Sequence, residues 1–382
     1  MITPAYSPTA TERVLPHMAL DFTTAALDSR VTVTRALNTA TAVNSSGFVA
    51  IVNANLPRFD YDPSTLQCKG LLIEETRSNL FLQSSNFSTS WVTDTGACTV
   101  TSDDVISPDD TQNADKLAFV GTNANRYQTV AGLTIGASYT MTVWLRVASG
   151  TASVSIGNIN AGVNVAQTVT TTWQRFTVTQ TASAATRYPQ ITATNVDVFA
   201  WGAQLETGAF PTSYIPTTTT SVTRNADVVS MTGTNFSDWY NASEGTFVAS
   251  GDTLKPSGTA QTANLNSAND DTFSNFVSLR FGTSVATGRI QAGGVSQTAF
   301  AGTAYTANTP ITLAMAYQLN NSALCVAGGA VATDASVTVG LTMTQMNIGA
   351  RNAGLEPLNG HVQSIRYFPI RLTNEQLQAI TT

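Results

Sequence analysis

Two adjacent carboxylates, Glu74 and Glu75, stand beside Arg77, and a pair of carboxylates about 5–10 Å apart can cleave a glycosidic bond. Neighbouring residues on a strand point to opposite faces, so this pair could flank one bond only across a bulge. The expected role is ion pairing with Arg58 or Arg77, and Glu206 is assigned the same structural part. Asp103, Asp104, Asp109 and Asp110 surround Pro108 and offer the hard oxygens that calcium prefers. The calcium-loop spacing with its central glycine is missing, which leaves solvated turn carboxylates as the alternative. Asn269, Asp270 and Asp271 form a weaker cluster of the same kind. Imidazole comes only from His17 and His361, neither of them in a triad or metal motif. Cys68, Cys98 and Cys325 are widely spaced and contain no CxxC pair, so small apolar fillers are expected rather than a disulfide framework or a zinc site.

Aromatic rings are the other source of chemistry, because their apolar faces stack on the C–H faces of sugars. Trp91 and Trp201 lie in apolar runs and are expected in the core. Trp144 alternates with Thr140, Thr142 and Arg146 on the polar side of its segment. Such an indole, with Arg146 beside it, is either a ligand platform or a surface covered by a neighbouring subunit or domain. Trp239 and Tyr240, flanked by Asp238 and Asn241, fall in a polar turn and make a second exposed ligand-binding candidate. Gly293–Gly294 and Gly328–Gly329 are hairpin-turn glycines, not a phosphate loop.

These side chains must be positioned by strands. From Tyr139, the residues Tyr139, Met141, Val143, Leu145 and Val147 share one face, the period of two of a half-buried strand. Similar runs recur to the C-terminus, separated by Gly, Asn, Asp and Pro, and no βαβ alternation occurs. The Pro- and Thr-rich stretch at 211–223 predicts an extended, solvated connector. Near the end, Thr373 and Gln376 form a capping-box pair, with Leu372 placed to staple against Leu377; the short helix they open is expected to plug the edge or end of the last sandwich. The chain has 382 residues, enough for two or three domains, and only 11% of them are charged. Solubility therefore rests on hydroxyls and amides, as in extracellular β-proteins and virus appendages. A net charge of −6 disfavours nucleic acid as a partner. No apolar run is long enough to span a membrane, and residues 1–20 lack the basic and apolar regions of a signal peptide.

The segment 53–80, NANLPRFDYDPSTLQCKGLLIEETRSNL, resembles the junction of tailed-bacteriophage appendage proteins, often labelled head spike or tail fibre proteins. FLQSSNFSTSWV at 81–92, ADKL at 114–117 and FAWGAQLETGAFPTSYIP at 199–216 are similar to the sandwich that follows this junction. In that family this sandwich is similar to carbohydrate-binding jelly rolls, some of which hold a structural calcium. The stretches LCVAGG at 324–329 and NGHVQSIRYFPIRLTNEQLQAI at 359–380 resemble a laminin-G or concanavalin-A-like sandwich. The resulting expectation is an all-β chain of tandem antiparallel β-sandwiches of jelly-roll type with a short C-terminal helix. Its parts are a virion-attachment module at 1–75, a carbohydrate-binding-like jelly roll at 76–215, a linker at 216–228 and a second sandwich at 229–382. The resemblance implies a non-enzymatic component of the virion, head or tail, that displays these domains to host-surface polysaccharide. A purely structural decoration protein is the alternative, and a depolymerase ranks last. Capsid or tail proteins are the expected partners and a homotrimer the expected assembly. No cofactor is expected beyond the calcium candidate at the four aspartates.

Overall fold

The alternating patterns become strands throughout. The structure is a computed structural model describing residues 14–258, 262–338, 341–352 and 354–382; residues 1–13 of the expected attachment module lie outside the described residues. The fold is nearly all β. Antiparallel sheets pack into two sandwiches, and the helical segments among the described residues are the short turns Phe22–Thr24 and Thr234–Ser237 and the C-terminal helix Asn374–Thr381.

One sandwich combines the described residues up to Ala36 with Ala54–Glu75 and Ala226–Thr382. Its seven-stranded sheet runs, edge to edge, Thr32–Thr34, Val228–Thr232, Gln345–Ile348, Ala263–Asn269, Phe276–Phe281, Val285–Ala292 and Val295–Ala304. The facing eight-stranded sheet is centred on Glu244–Gly251 and Gly360–Phe368. Phe247, Leu279, Ile290, Leu313, Ile348 and Ile365 fill the space between the sheets, each stabilising the fold by about 1.5–3 kcal/mol.

The expected module at 1–75 is corrected here. Met18–Asp21 and Cys68–Ile73 both pair with Gly360–Phe368, and Thr32–Thr34 pairs with Val228–Thr232. Met18, Leu20, Phe22, Leu71 and Ile73 are buried in the same core as Phe247. These short apolar segments cannot bury one another, and they reach low energy by completing the larger sandwich.

The other sandwich is built from Leu37–Asn53 and Thr76–Asn225. A five-stranded sheet (Gln174–Thr181, Ser138–Arg146, Val196–Thr207, Gln112–Val120, Ala97–Ile106) faces a four-stranded one (Ala124–Tyr127, Gln190–Ala193, Ala152–Gly157, Asn164–Val169). Tyr139, Met141, Val143, Leu145 and Val147 all enter the core between them, as the alternation predicts. The expected solvated linker is also corrected: Val222–Arg224 pairs with Arg77–Asn79. Thr217 donates from its N–H to Ser84 Oγ at 2.9 Å and from its hydroxyl to Phe81 O at 2.6 Å. The stretch is extended, as its prolines require; Thr218–Ser221 are exposed as expected, while the residues on either side are held to its own sandwich.

The C-terminal helix carries the predicted capping box between Thr373 and Gln376. It covers a face rather than an edge or end. Leu372 and Leu377 pack on Ala314, Ala316, Ala323, Cys325 and Phe368, where the small side chains of the eight-stranded sheet leave an apolar strip that would otherwise face water.

Candidate functional site

Trp144 lies on the outer face of the five-stranded sheet, paired across the ladder with Arg175 on one side and Trp201 on the other. A bulge at Gly202 turns both indoles outward, and a Cβ at Gly202 would sit 2.8 Å from Trp144 Cε3. Protein groups already occupy the indole. The Arg175 guanidinium stacks 4.5 Å from its ring, and Trp201 and Tyr214 meet it edge-on at 5.2 and 5.6 Å. The hairpin Ala40–Val43 and Val49–Val52 is fastened to the same face, Thr41 donating to Tyr214 O at 2.6 Å. Arg146 stacks on Phe199 at 4.6 Å and on Trp173 at 5.2 Å. The groups against Trp144 come from its own sandwich rather than from a neighbouring subunit or domain, and half-buried Trp144 and Arg146 brace the sheet. Gly202 adopts φ +64°, so Gly202→Ala adds both backbone strain and a clash. We expect it to lower stability by about 1–3 kcal/mol, measured as an earlier urea midpoint of tryptophan fluorescence.

The motifs GAQLE and PTSYIP are explained by the same face. Glu206 accepts from Thr212 N–H and hydroxyl at 2.8 and 2.7 Å and from Gln204 Nε2 at 2.9 Å. Gln204 in turn accepts from Ile215 N–H at 2.7 Å. Glu74 is fully buried against Arg58 at 2.6 Å. Both carboxylates are structural.

Two further candidates are corrected. Trp239 is 5% exposed, its Nε1–H donating to Asn235 O at 2.7 Å. The turn is present, following the one-turn helix Thr234–Ser237, but Phe236 and Trp239 are both buried in the core. Tyr240 stacks on Phe236 at 4.9 Å and donates to Leu341 O at 2.9 Å; burial pushes its phenol pKa far up. Neither ring offers a face to a ligand. Asp103, Asp104, Asp109 and Asp110 do not converge, and no metal-binding group of three or more His, Cys, Asp or Glu occurs among the described residues. Asp109 spends its oxygens on Thr111 N–H and hydroxyl (3.0 and 2.7 Å) and on Asn113 (3.2 Å). Asp103 sits in a strand bulge at φ +53°, bonded through its N–H to Asp115.

An exposed aromatic face exists elsewhere, on the outer side of the four-stranded sheet. Tyr188 is 43% exposed and meets half-buried Tyr127 edge-on at 5.7 Å. Tyr127 is directly opposite Gln190, whose amide joins Asn164 at 3.3 Å and Asn125 at 3.1 Å. Two residues on, Thr192 lies between Asn125 and Ser155. The Thr192 hydroxyl is buried without a hydrogen-bond partner among the described residues. A shallow floor of small hydroxyl and amide side chains therefore ends at a tyrosine wall. This combination can stack a sugar ring and bond its hydroxyls. In the sequence, Arg187-Tyr188-Pro189-Gln190 carried no apolar alternation to attract notice; only ladder register brings Tyr188 to Tyr127.

No protein-family model and no curated protein matches the sequence. Among solved structures the chain is similar to the CBM40 domain of the Ruminococcus gnavus IT-sialidase bound to α2,3-sialyllactose. That match has 17% identity and a TM-score of 0.32 over 37% of this chain and 83% of the other. It is also similar to the NanB sialidase of Streptococcus pneumoniae, with 16% identity and a TM-score of 0.32 over 39% of this chain and 26% of the other. A third is the enzymatically active domain of bacteriophage CBA120 tailspike protein 4, with 18% identity and a TM-score of 0.27 over 34% and 21%. At these scores the likenesses carry neither a ligand nor an activity over to this chain.

Proposed function

We propose that the chain is a non-catalytic, glycan-binding component of a bacteriophage particle. It would hold sugar on the outer face of the four-stranded sheet, with Tyr188 and Tyr127 as the stacking wall. The observation that carries this reading is an exposed tyrosine pair beside a buried hydroxyl without a partner, at Thr192. The particle assignment is supported by the appendage-like segments at 53–80 and 199–216. Such a shallow face binds weakly per copy, and a homotrimer displayed many times raises avidity by orders of magnitude without new contacts. The proposal includes no depolymerase activity, and the commitment of Glu74 and Glu206 to internal partners supports this.

The test is retention of the purified chain on host-surface polysaccharide. Tyr188→Ala is expected to weaken retention about tenfold, the equivalent of 1.4 kcal/mol, with polymer length unchanged after incubation. Wild-type retention by Tyr188→Ala would overturn the assigned face. Absence of retention on any surface polysaccharide, with the chain still present in purified particles, would leave a purely structural decoration protein. Shortened polymer would overturn the non-catalytic assignment.

A further inference from the structure

The other sandwich carries a second polar face, on the side of its seven-stranded sheet away from the core. Across neighbouring strands the ladder sets Asn347, Ser267, Ser278 and Arg289 directly opposite one another in a row. Arg280 lies on the same face, two residues from Ser278 and opposite Thr287. Arg351 and Glu356 both lie against this face. Asn269 Nδ2 donates to Arg351 O at 3.2 Å, and Asn264 N–H donates to Glu356 O at 3.1 Å. These contacts bring the Arg351 guanidinium to the other two.

Charge is unbalanced here. Glu356 lies 2.9 Å from Arg351 and 4.0 Å from Arg280, so one carboxylate is shared by two of the three guanidiniums. Burial, with the repulsion of Arg289 and Arg351, brings Arg280 down to about 10. A chain with so few charges has no evident structural need for three like charges in one place.

Hydrogen-bonding capacity is also unspent. Ser267 Oγ and Asn347 Nδ2 belong to side chains 0% and 3% exposed and have no hydrogen-bond partner among the described residues. The Nε atoms of Arg289 and Arg351 lack one too. Beside these donors, Arg351 stacks on Phe273 at 4.6 Å, Arg289 lies 5.7 Å from Phe276, and the two rings meet at 6.4 Å. Phe273 adopts φ +59°, a left-handed conformation that costs a bulky side chain energy and recurs at ligand clamps.

We propose that this face binds the carboxylate of an acidic sugar, with Arg289 and Arg351 as the donors to the carboxylate and Phe273 against the ring. A planar guanidinium fork matches a carboxylate in two parallel hydrogen bonds. The ligand's negative charge would balance the surplus, and Ser267 and Asn347 offer further donors along the row. The proposal does not rest on the tyrosine face of the other sandwich.

The experiment titrates the full chain with glucuronate, with glucose as neutral control and inorganic phosphate as simple anion, following arginine Nε–H resonances by NMR. Glucuronate is expected to shift the Arg289 and Arg351 signals, with glucose at least tenfold weaker. Arg289→Lys and Arg351→Lys are each expected to lower glucuronate affinity at least tenfold. Phe273→Gly removes the ring at a backbone position where glycine is unstrained, so it should keep its melting temperature and still lose affinity. Equal binding of glucose, phosphate binding without glucuronate binding, or unchanged affinity in a folded Phe273→Gly variant overturns the proposal. Glucuronate that moves the Tyr127 and Tyr188 ring signals while leaving the Arg289 and Arg351 Nε–H signals unmoved would place the acid on the other sandwich and overturn this assignment.

Discussion

Replacing Asp227 by alanine is expected to destabilise the sandwich containing 226–382 by about 3–5 kcal/mol, the cost of leaving a buried charge without its partner. Asp227 accepts from Arg35 Nη1 at 2.8 Å, from Arg58 Nη2 in a short contact and from Glu74 N–H at 2.9 Å. Arg58 also pairs with Glu74 at 2.6 Å, and all four side chains are at most 2% exposed. Two cations and two anions are thus neutral together and costly apart. The four come from three separate stretches of chain: Arg35 from the N-terminal segment, Arg58 and Glu74 from Ala54–Glu75, and Asp227 from the beginning of Ala226–Thr382. The quartet therefore ties the N-terminal segments into the sandwich as well as stabilising it. A fall in melting temperature on the order of ten degrees, with early proteolytic loss of the segment before Ala36, is the expected readout. Asp227→Asn keeps the shape and should still destabilise. A change within 1 kcal/mol in either variant would mean that apolar burial alone holds those segments.

The second large effect is a dependence on pH centred on His361. Its ring is buried between two carboxylates, Nδ1 at 3.0 Å from Asp252 Oδ1 and Nε2 at 3.0 Å from Asp60 Oδ2. Burial alone would push the imidazole pKa down, but hydrogen bonds to Asp252 and Asp60 outweigh it and hold it above the usual 6.5. A pKa higher in the folded than in the unfolded chain gives stability that is fully present below the unfolded value. That stability is lost as pH rises through the raised folded value. The melting temperature of this sandwich is therefore expected to fall as pH rises above the usual imidazole value of 6.5 and through the raised folded value. His361→Ala leaves Asp60 and Asp252 facing each other without the cation between them. It should cost about 3–5 kcal/mol near neutral pH and remove that alkaline loss. An unchanged slope in His361→Ala would assign the dependence to another group.

Local pattern and tertiary structure divide the molecule between them. The sequence by itself determined the all-β class, since a period of two admits one backbone geometry; Tyr139, Met141, Val143, Leu145 and Val147 all face the core that their alternation implies. It determined the capping box of the last helix, because Thr373 and Gln376 need only one another. The structural use of Glu74 was legible because neighbouring strand residues face opposite sides, with Arg58 or Arg77 as partner; the fold pairs it with Arg58. The membership of 14–36 and 54–75 in a sandwich completed by 226–382 was not. Strand pairing between residues such as Leu20 and Ile365 leaves no mark on either stretch, because any half-buried strand pattern suits many partners. The same holds for the binding faces. Trp144 and Trp239 have polar neighbours in sequence, yet Arg175, Trp201 and Tyr214 pack on the first and the core of its sandwich takes in the second. Tyr127 and Tyr188 meet, and Arg280, Arg289 and Arg351 gather, only through ladder register and the contacts of Arg351 and Glu356. Spacing along the chain decides which side of a strand a residue takes; only the packed sheets decide whether that side meets water, a ligand or more protein.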